Sequence, residues 1–115
     1  MKKIHLVNHT HWDREWYFTL QDSLVLSDIV FSKVINELEN NPTMNFEIDG
    51  QASVVEEYLR CNPNDIERVK KLIENKQLFI GPWYTQTDCL LVTDESILKN
   101  LLIGIREANK MGGSS

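Results

Sequence analysis

The sequence predicts an α/β fold built on a parallel sheet, with its elements in the order β-α-β-α-α-β-α. Two observations lead to this prediction. Short runs that are apolar, or that alternate between apolar and polar residues, are typical of strands. Along the chain they alternate with longer segments whose apolar residues recur at helical spacing. Stretches rich in Asn, Pro, Gly and Asp separate them, and these residues end helices and form turns. Because strands that alternate with helices are joined by right-handed crossovers, we expect the strands to lie parallel.

The first strand is predicted over residues 3–8, where the run Ile4-His5-Leu6-Val7 suits a parallel strand that is covered on both faces. A polar stretch with several aromatic residues then continues to Tyr17. Residues 20–38 have helical periodicity, and Asn40-Asn41-Pro42 ends this helix. Its predicted apolar stripe consists of Leu24, Val25, Ile29, Val30, Val34, Ile35 and Leu38.

Two shorter helices are predicted between the second and third strands. The second strand covers residues 44–49, which alternate in character and end in the turn-forming pair Asp49-Gly50. The two helices cover residues 51–61 and about 65–75. Their predicted inward residues are Val54, Val55, Leu59, Ile66, Val69 and Leu72.

The third strand and the last helix complete the predicted order. The strand covers residues 77–83, and its pairing should finish at Pro82 because proline has no amide hydrogen to donate. After a polar loop, a helix is predicted from residue 94 to about residue 110, capped by Thr93 or Asp94. Its predicted apolar stripe consists of Ile97, Leu98, Leu101, Leu102 and Ile105.

Composition and charge exclude several classes of function. The net charge of -5 and the pI of 5.1 argue against nucleic acid and anionic membranes as partners, since both require a basic face. No apolar run approaches the roughly 20 residues of a membrane span, and no signal peptide follows Lys2-Lys3, so a cytoplasmic location is expected. Cys61 and Cys89 are expected to be free thiols, so a metal site would have to use histidine and carboxylate ligands.

The predicted sheet is too small to be complete. Three parallel strands expose an edge on each side and cannot cover helices well on both faces. We therefore expect residues 1–115 to be the N-terminal portion of a larger α/β domain, truncated at its C-terminal end.

A pair of candidate metal ligands, His11-x-Asp13, follows the first predicted strand. In extended backbone these two side chains share one face, and an imidazole nitrogen with a carboxylate oxygen suits zinc or a similar divalent ion. His9 lies on the same face if the strand continues, either as another ligand or as a partner of a ligand. The same residue types are also common in solvated turns, so the pair alone is weak evidence for a metal.

Asp88 follows the third predicted strand, at the sheet edge where α/β proteins bind ligands. The tip of the first strand lies at the same edge, so the topology brings Asp88 towards His11 and Asp13. Asp88 is also compatible with a plain loop carboxylate. Trp12 and Trp16 flank the candidate metal pair, where an indole could stack on the apolar face of a sugar or could belong to the core.

Two stretches resemble the signatures of a known family, the α-mannosidases of glycoside hydrolase family 38, in its bacterial branch. The resemblance covers the whole chain, and two signatures in the right order and spacing make it specific. One small departure is Asp94, where bacterial members more often have glycine. The two stretches are His9-Thr10-His11-Trp12-Asp13-Arg14-Glu15-Trp16 and Gly81-Pro82-Trp83-Tyr84-Thr85-Gln86-Thr87-Asp88.

The resemblance implies the N-terminal portion of a catalytic β/α barrel, here about three strands with flanking helices. It implies a retaining α-mannosidase acting on mannose-containing oligosaccharides with one divalent ion, most often Zn²⁺. It assigns His11, Asp13 and Asp88 as metal ligands, Asp88 also as the catalytic nucleophile, and Trp16 as the sugar-stacking residue. The general acid/base and the last metal ligand lie later in the family's sequences, so the chain alone is expected to be inactive, and the full-length protein is expected to form homo-oligomers.

Two other functions remain open from the sequence. A metal-dependent hydrolase such as a polysaccharide deacetylase would use the ion to activate water and would need no covalent nucleophile. A non-catalytic carbohydrate-binding module would bind mannose without any reaction.

Overall fold

Four helices and two short parallel strands make up the computed structural model, which describes residues 2–113. A 3₁₀ turn, Pro63–Asp65, leads directly into the third helix. None of the helices in this range combines the length and the apolar content needed to cross a bilayer. The elements are α1 (Leu20–Asn40), β1 (Phe46–Glu47), α2 (Ala52–Cys61), α3 (Ile66–Glu74), β2 (Leu78–Phe79) and α4 (Asp94–Lys110).

The sheet is smaller than predicted. Strands β1 and β2 pair in parallel, as expected, but each is only two residues long, with Phe46 opposite Leu78 and Glu47 opposite Phe79. The structure therefore confirms a small α/β fold with a parallel sheet, while a barrel remains an expectation.

The predicted first strand, residues 3–8, is wrong as a regular strand. Only its end reaches the sheet, where His9 forms a parallel bridge with Glu47. The side chains of Ile4 and Leu6 are 86% and 79% exposed. Because a parallel strand is stable only when layers cover both of its faces, and residues 2–113 supply no such cover here, the apolar run stays unpaired up to this bridge.

Helices α1, α2 and α3 pack around one apolar core. The inward residues predicted on α2 are all buried, joined by Tyr58, whose ring packs edge-on against Phe31 of α1 with centroids 4.7 Å apart. On α3, Val69 and Leu72 are buried as predicted, while Ile66 is partly buried at the margin of the core.

The stripe predicted for α1 is only half right. Ile35 and Leu38 are fully buried, but Val25 and Ile29 are 60% and 48% exposed. Phe31, which the prediction left out, is buried instead and forms an i, i+4, i+7 row with the other two. The periodicity of α1 supports two adjacent apolar faces, and contact with α2 and α3 decides which of them is inside.

Helix α4 contacts the rest of the molecule through its smallest residues. Thr93 caps it, as predicted, accepting a hydrogen bond from the amide of Ser96. Gly104 and Ala108 are buried, whereas Leu98 and Leu102 of the predicted stripe are 58% and 59% exposed. The helix therefore approaches the loop after β2 through its backbone, while Leu98 and Leu102 face outwards.

Candidate active site

His11 lies between two carboxylates. Its Nδ1 atom is 2.7 Å from Oδ2 of Asp49, and its Nε2 atom is 3.1 Å from Oδ1 of Asp13. Asp49 follows the short strand β1 and Ile48, so the end of β1 lies beside the segment that carries His11. From the sequence, Asp49 is interpreted as a turn residue, and its contact with His11 is seen only in the structure.

The two carboxylates change the proton affinity of the imidazole. The hydrogen bond to Asp49 is the main cause that raises the pKa of His11 above its ordinary value, and Asp13 contributes in the same direction. The surrounding protein partly offsets this effect through desolvation, which favours the neutral ring.

The segment that carries His11 and Asp13 is held in place by its tryptophan neighbour. The amide of Trp12 donates to Oε1 of Gln51 at 2.7 Å, and Nε2 of Gln51 donates back to the carbonyl of Trp12 at 2.9 Å. The indole Nε1 donates to Oγ of Ser23 on α1 at 2.8 Å, and the ring packs against the core. Trp12 thus holds this segment on the core, whereas Trp16 has an exposed side chain.

Arg14 pairs with α2 and not with its neighbour Glu15. Its guanidinium lies 2.7 Å and 2.6 Å from the two carboxylate oxygens of Glu57, and it also donates to Oγ of Ser53 at 3.2 Å. Both partners are largely buried, with side chains that are 23% and 18% exposed. This ion pair joins the end of the first signature to the first two turns of α2.

The loop that carries the second signature is bound to the start of α2 and to α4. The first amides of a helix lack partners within the helix, and here Ala52 and Ser53 donate to the carbonyls of Trp83 and Tyr84. From α4, Oδ1 of Asn100 accepts from the amides of Tyr84 and Thr85 at 2.8 Å and 3.0 Å. Asn100 was missed in the sequence because an isolated polar residue on a helix carries no sign of what it contacts.

Asp88 lies in this loop with an exposed side chain. Its Oδ1 accepts from the amide of Leu90 at 2.9 Å, which is a local turn contact. Within residues 2–113 no group of three His, Cys, Asp or Glu side chains is arranged to hold an ion. The structure brings His11 into contact with Asp13 and Asp49, but it does not bring Asp88 into contact with them.

The donor set nevertheless fits a hard or borderline divalent ion. One imidazole and two exposed carboxylates, Asp13 and Asp88, are ligands that zinc accepts. Metal-bound histidines commonly donate from one ring nitrogen to a carboxylate, as Nδ1 of His11 can to Asp49, and bind the ion through the other, which in His11 lies 3.1 Å from Oδ1 of Asp13. Asp13, with a side chain that is 61% exposed, is free to turn towards such an ion.

A cavity of about 150 Å³ lies beside Asp13, and both signatures line it. Trp16 is nearby in sequence, 71% exposed, with its ring edge-on to Tyr17 at 6.1 Å between centroids. An indole face in this state can receive the apolar face of a sugar. The cavity is lined by Trp12, Asp13, Arg14, Gln51, Ser53, Thr85 and Gln86.

Comparisons with known proteins agree on one family. The family model described as "Glycosyl hydrolases family 38 N-terminal domain" matches residues 1–115. A protein of Halalkalibacterium halodurans, named "Putative mannosylglycerate hydrolase", is 33% identical over 112 residues, which are 96% of this chain and 12% of that protein.

Two solved structures from Enterococcus faecalis share the fold. One is an alpha-mannosidase, with a TM-score of 0.88 and 36% identity, matched over 95% of this chain and 12% of its own. The other is a protein in the glycosyl hydrolase family 38, with a TM-score of 0.84 and 33% identity, matched over 95% of this chain and 13% of its own. The chain therefore spans about an eighth of the length of these relatives.

Proposed function

We propose that the protein containing this chain is a metal-dependent, retaining α-mannosidase, because the chain belongs to glycosyl hydrolase family 38 and matches the N-terminal domain of that family. The observation that carries this proposal is the shared cavity beside Asp13. Residues 12–14 of the first signature and residues 85 and 86 of the second line it together, although three helices and both strands lie between them in the sequence.

His11 and Asp13 are proposed to hold one divalent ion, most often zinc in such donor sets, together with Asp88. When bound, the ion supplies a positive charge that orients sugar hydroxyls. Trp16 supports the apolar face of the mannose ring. The tie between Trp12 and Gln51 and the ion pair between Arg14 and Glu57 keep the ligand segment in place, so that little has to be ordered on binding.

Asp88 is proposed as the nucleophile. Its carboxylate oxygen forms a bond to the anomeric carbon while the bond from that carbon to the leaving oxygen breaks, and a second carboxyl group gives the leaving oxygen its proton. Water then releases the mannose with net retention, and the second carboxyl group recovers the proton. Asp88 is exposed and lies in a loop that Asn100 and the start of α2 hold, so it is accessible to a sugar. The second carboxyl group and a further metal ligand are proposed to come from outside this chain.

The substrate is proposed to be an α-mannoside, and two kinds fit the relatives. One relative is an alpha-mannosidase, which points to mannose-containing oligosaccharides, and another has a name that points to mannosylglycerate. Comparing kcat/KM for α-linked mannobioses with that for mannosylglycerate separates them, because the preferred leaving group should react at least 10-fold faster.

Covalent labelling tests the reaction type. A full-length protein treated with an activated fluoro-mannoside should form a stable adduct on Asp88, detected by peptide mass spectrometry. The Asp88→Ala variant should lose the adduct and about 10³-fold or more of kcat, as expected when a group in the covalent step is removed. Asp94→Ala, at an exposed carboxylate on the first turn of α4, is the matched control and should retain both.

The same experiment separates the alternatives. A water-activating hydrolase such as a deacetylase would form no adduct and would keep activity in Asp88→Ala, which would refute the mannosidase proposal. A carbohydrate-binding module would bind mannose equally well after removal of the metal with a chelator, and would hydrolyse nothing.

A further inference from the structure

Asp49, the second residue after the end of β1, has an unusual backbone conformation. Asp49 has a φ of 42°, in the left-handed region that L-residues other than Asn and Asp rarely adopt, and Gly50 follows with a φ of 69°. Strained conformations of this kind persist only where their surroundings hold them, and they are common at functional sites.

The surroundings of Asp49 hold this turn from both sides. The amide of Ile48 donates to the carbonyl of Phe79, and the amide of Gln51 donates to the carbonyl of Ile48. A Cβ atom on Gly50 would lie 2.9 Å from Cδ1 of Trp83, so the second signature packs directly on the turn. The backbone of the turn that carries Asp49 is therefore held by the sheet and by the loop that carries Asp88.

The carboxylate of Asp49 does not serve the turn itself. Its one hydrogen bond among residues 2–113 is to Nδ1 of His11, at 2.7 Å, across 38 positions of sequence. A turn aspartate normally accepts from a backbone amide two residues further along, but here that amide, of Gln51, donates to Ile48. The left-handed conformation thus directs the side chain towards the candidate metal ligand.

We infer that Asp49 is a positioning residue that fixes the ring of His11. When the Nδ1 proton is donated to Asp49, Nε2 is the ring nitrogen that would take the ion, and it already lies 3.1 Å from Oδ1 of Asp13, where the ion is proposed to bind. This inference rests on the proposed metal-dependent function. It also explains why an aspartate occupies a position where glycine would relieve the backbone strain.

Metal affinity in the full-length protein tests the inference. The Zn²⁺ dissociation constant is measured by competition with a chromophoric chelator for the wild type, Asp49→Asn and Asp49→Gly, and the visible spectrum of the Co²⁺-loaded form gives a second readout of ligand geometry. We expect Asp49→Gly to bind Zn²⁺ about 10–100-fold more weakly, the usual range for loss of such a partner, with Asp49→Asn in between.

Lys76→Gly is the matched control. Lys76 has a φ of 59° in another turn, so its replacement relieves the same kind of backbone strain away from the site and should leave the metal affinity unchanged. Asp49→Gly is compatible with the turn, and the Tm of the metal-free protein should not fall. If Asp49→Gly binds Zn²⁺ as tightly as the wild type, the positioning role is refuted while the proposed function stands. If the wild type binds no divalent ion, both are refuted.

Discussion

Two tryptophans four positions apart have opposite roles. Trp12 packs against the core and donates to Ser23, whereas Trp16 is 71% exposed, with its ring edge-on to that of Tyr17. Burial therefore separates an anchor from a candidate sugar platform, although the sequence presents both as aromatic neighbours of His11-x-Asp13.

Replacing each tryptophan by alanine should separate stability from binding. Trp16→Ala should raise KM for an aryl α-mannoside about 10-fold or more by removing the stacking surface, and its free energy of unfolding should change by less than about 0.5 kcal/mol. Trp12→Ala should lower that free energy by about 2–3 kcal/mol, because it loses core contacts and the hydrogen bond to Ser23. Steady-state kinetics and urea denaturation measure the two effects. An unchanged KM for Trp16→Ala would contradict the assigned role.

The sequence points to residues whose chemical type suggests a role, and it gives no sign of residues whose contacts depend on their position in the fold. His11, Asp13 and Asp88 stand out as potential ligands in polar stretches after predicted strands. Gln51 and Asn100 are ordinary amides until the fold places them on the two signatures. Asp49 lies between these cases, since the sequence identifies it as a turn residue after the second strand and only the structure shows its contact with His11.

At the scale of elements, α4 and the second signature meet through a glycine. A Cβ atom on Gly104 would lie 2.2 Å from the carbonyl oxygen of Pro82 and 2.4 Å from the amide nitrogen of Tyr84. Both are backbone atoms, which cannot move aside as a flexible side chain could. The loop that leads to Asp88 can therefore take this position only because residue 104 of α4 is a glycine.

Gly104→Ala should disturb both stability and catalysis. We expect the free energy of unfolding to fall by about 1–3 kcal/mol, the usual cost of overpacking. This loss should outweigh the better helix propensity of alanine. Because the loop must shift, kcat for an α-mannoside should fall more than KM changes. Arg106→Ala, two residues further along α4 and on its exposed face, should change the free energy of unfolding by less than about 0.5 kcal/mol. Thermal denaturation and kinetics on both variants check this, and a fully active, stable Gly104→Ala would contradict the packing.

Helix positions were predicted well and strands poorly, for a physical reason. A helix satisfies its own backbone hydrogen bonds, so the periodicity around α1 to α4 was enough to locate each of them. A strand needs a neighbour and a cover, and those are properties of the whole sheet. Residues 3–8 have the composition of a buried strand, yet only the backbone from Asn8 to Thr10 finds a partner, through hydrogen bonds to Glu47.

At the scale of the whole molecule, much apolar surface faces outwards. It includes the N-terminal run, where Ile4 and Leu6 are exposed, and the outer face of α4, where Leu98 and Leu102 are exposed. Large exposed apolar patches are rare on self-sufficient monomers. This agrees with the proposal that the active site is completed by groups outside these 115 residues.

Residues 1–115 produced alone should therefore behave as an incomplete unit. We expect them to bind the dye ANS, to self-associate above micromolar concentrations and to hydrolyse no α-mannoside, because the apolar faces are uncovered and the proposed second carboxyl group is missing. ANS fluorescence, analytical ultracentrifugation and an aryl α-mannoside assay measure the three properties. Leu6→Ser and Leu98→Ser together should lower both ANS fluorescence and self-association, since each removes an exposed apolar side chain. Hydrolysis by the isolated chain would show that its own carboxylates suffice for both steps, and would overturn the proposed division of the active site.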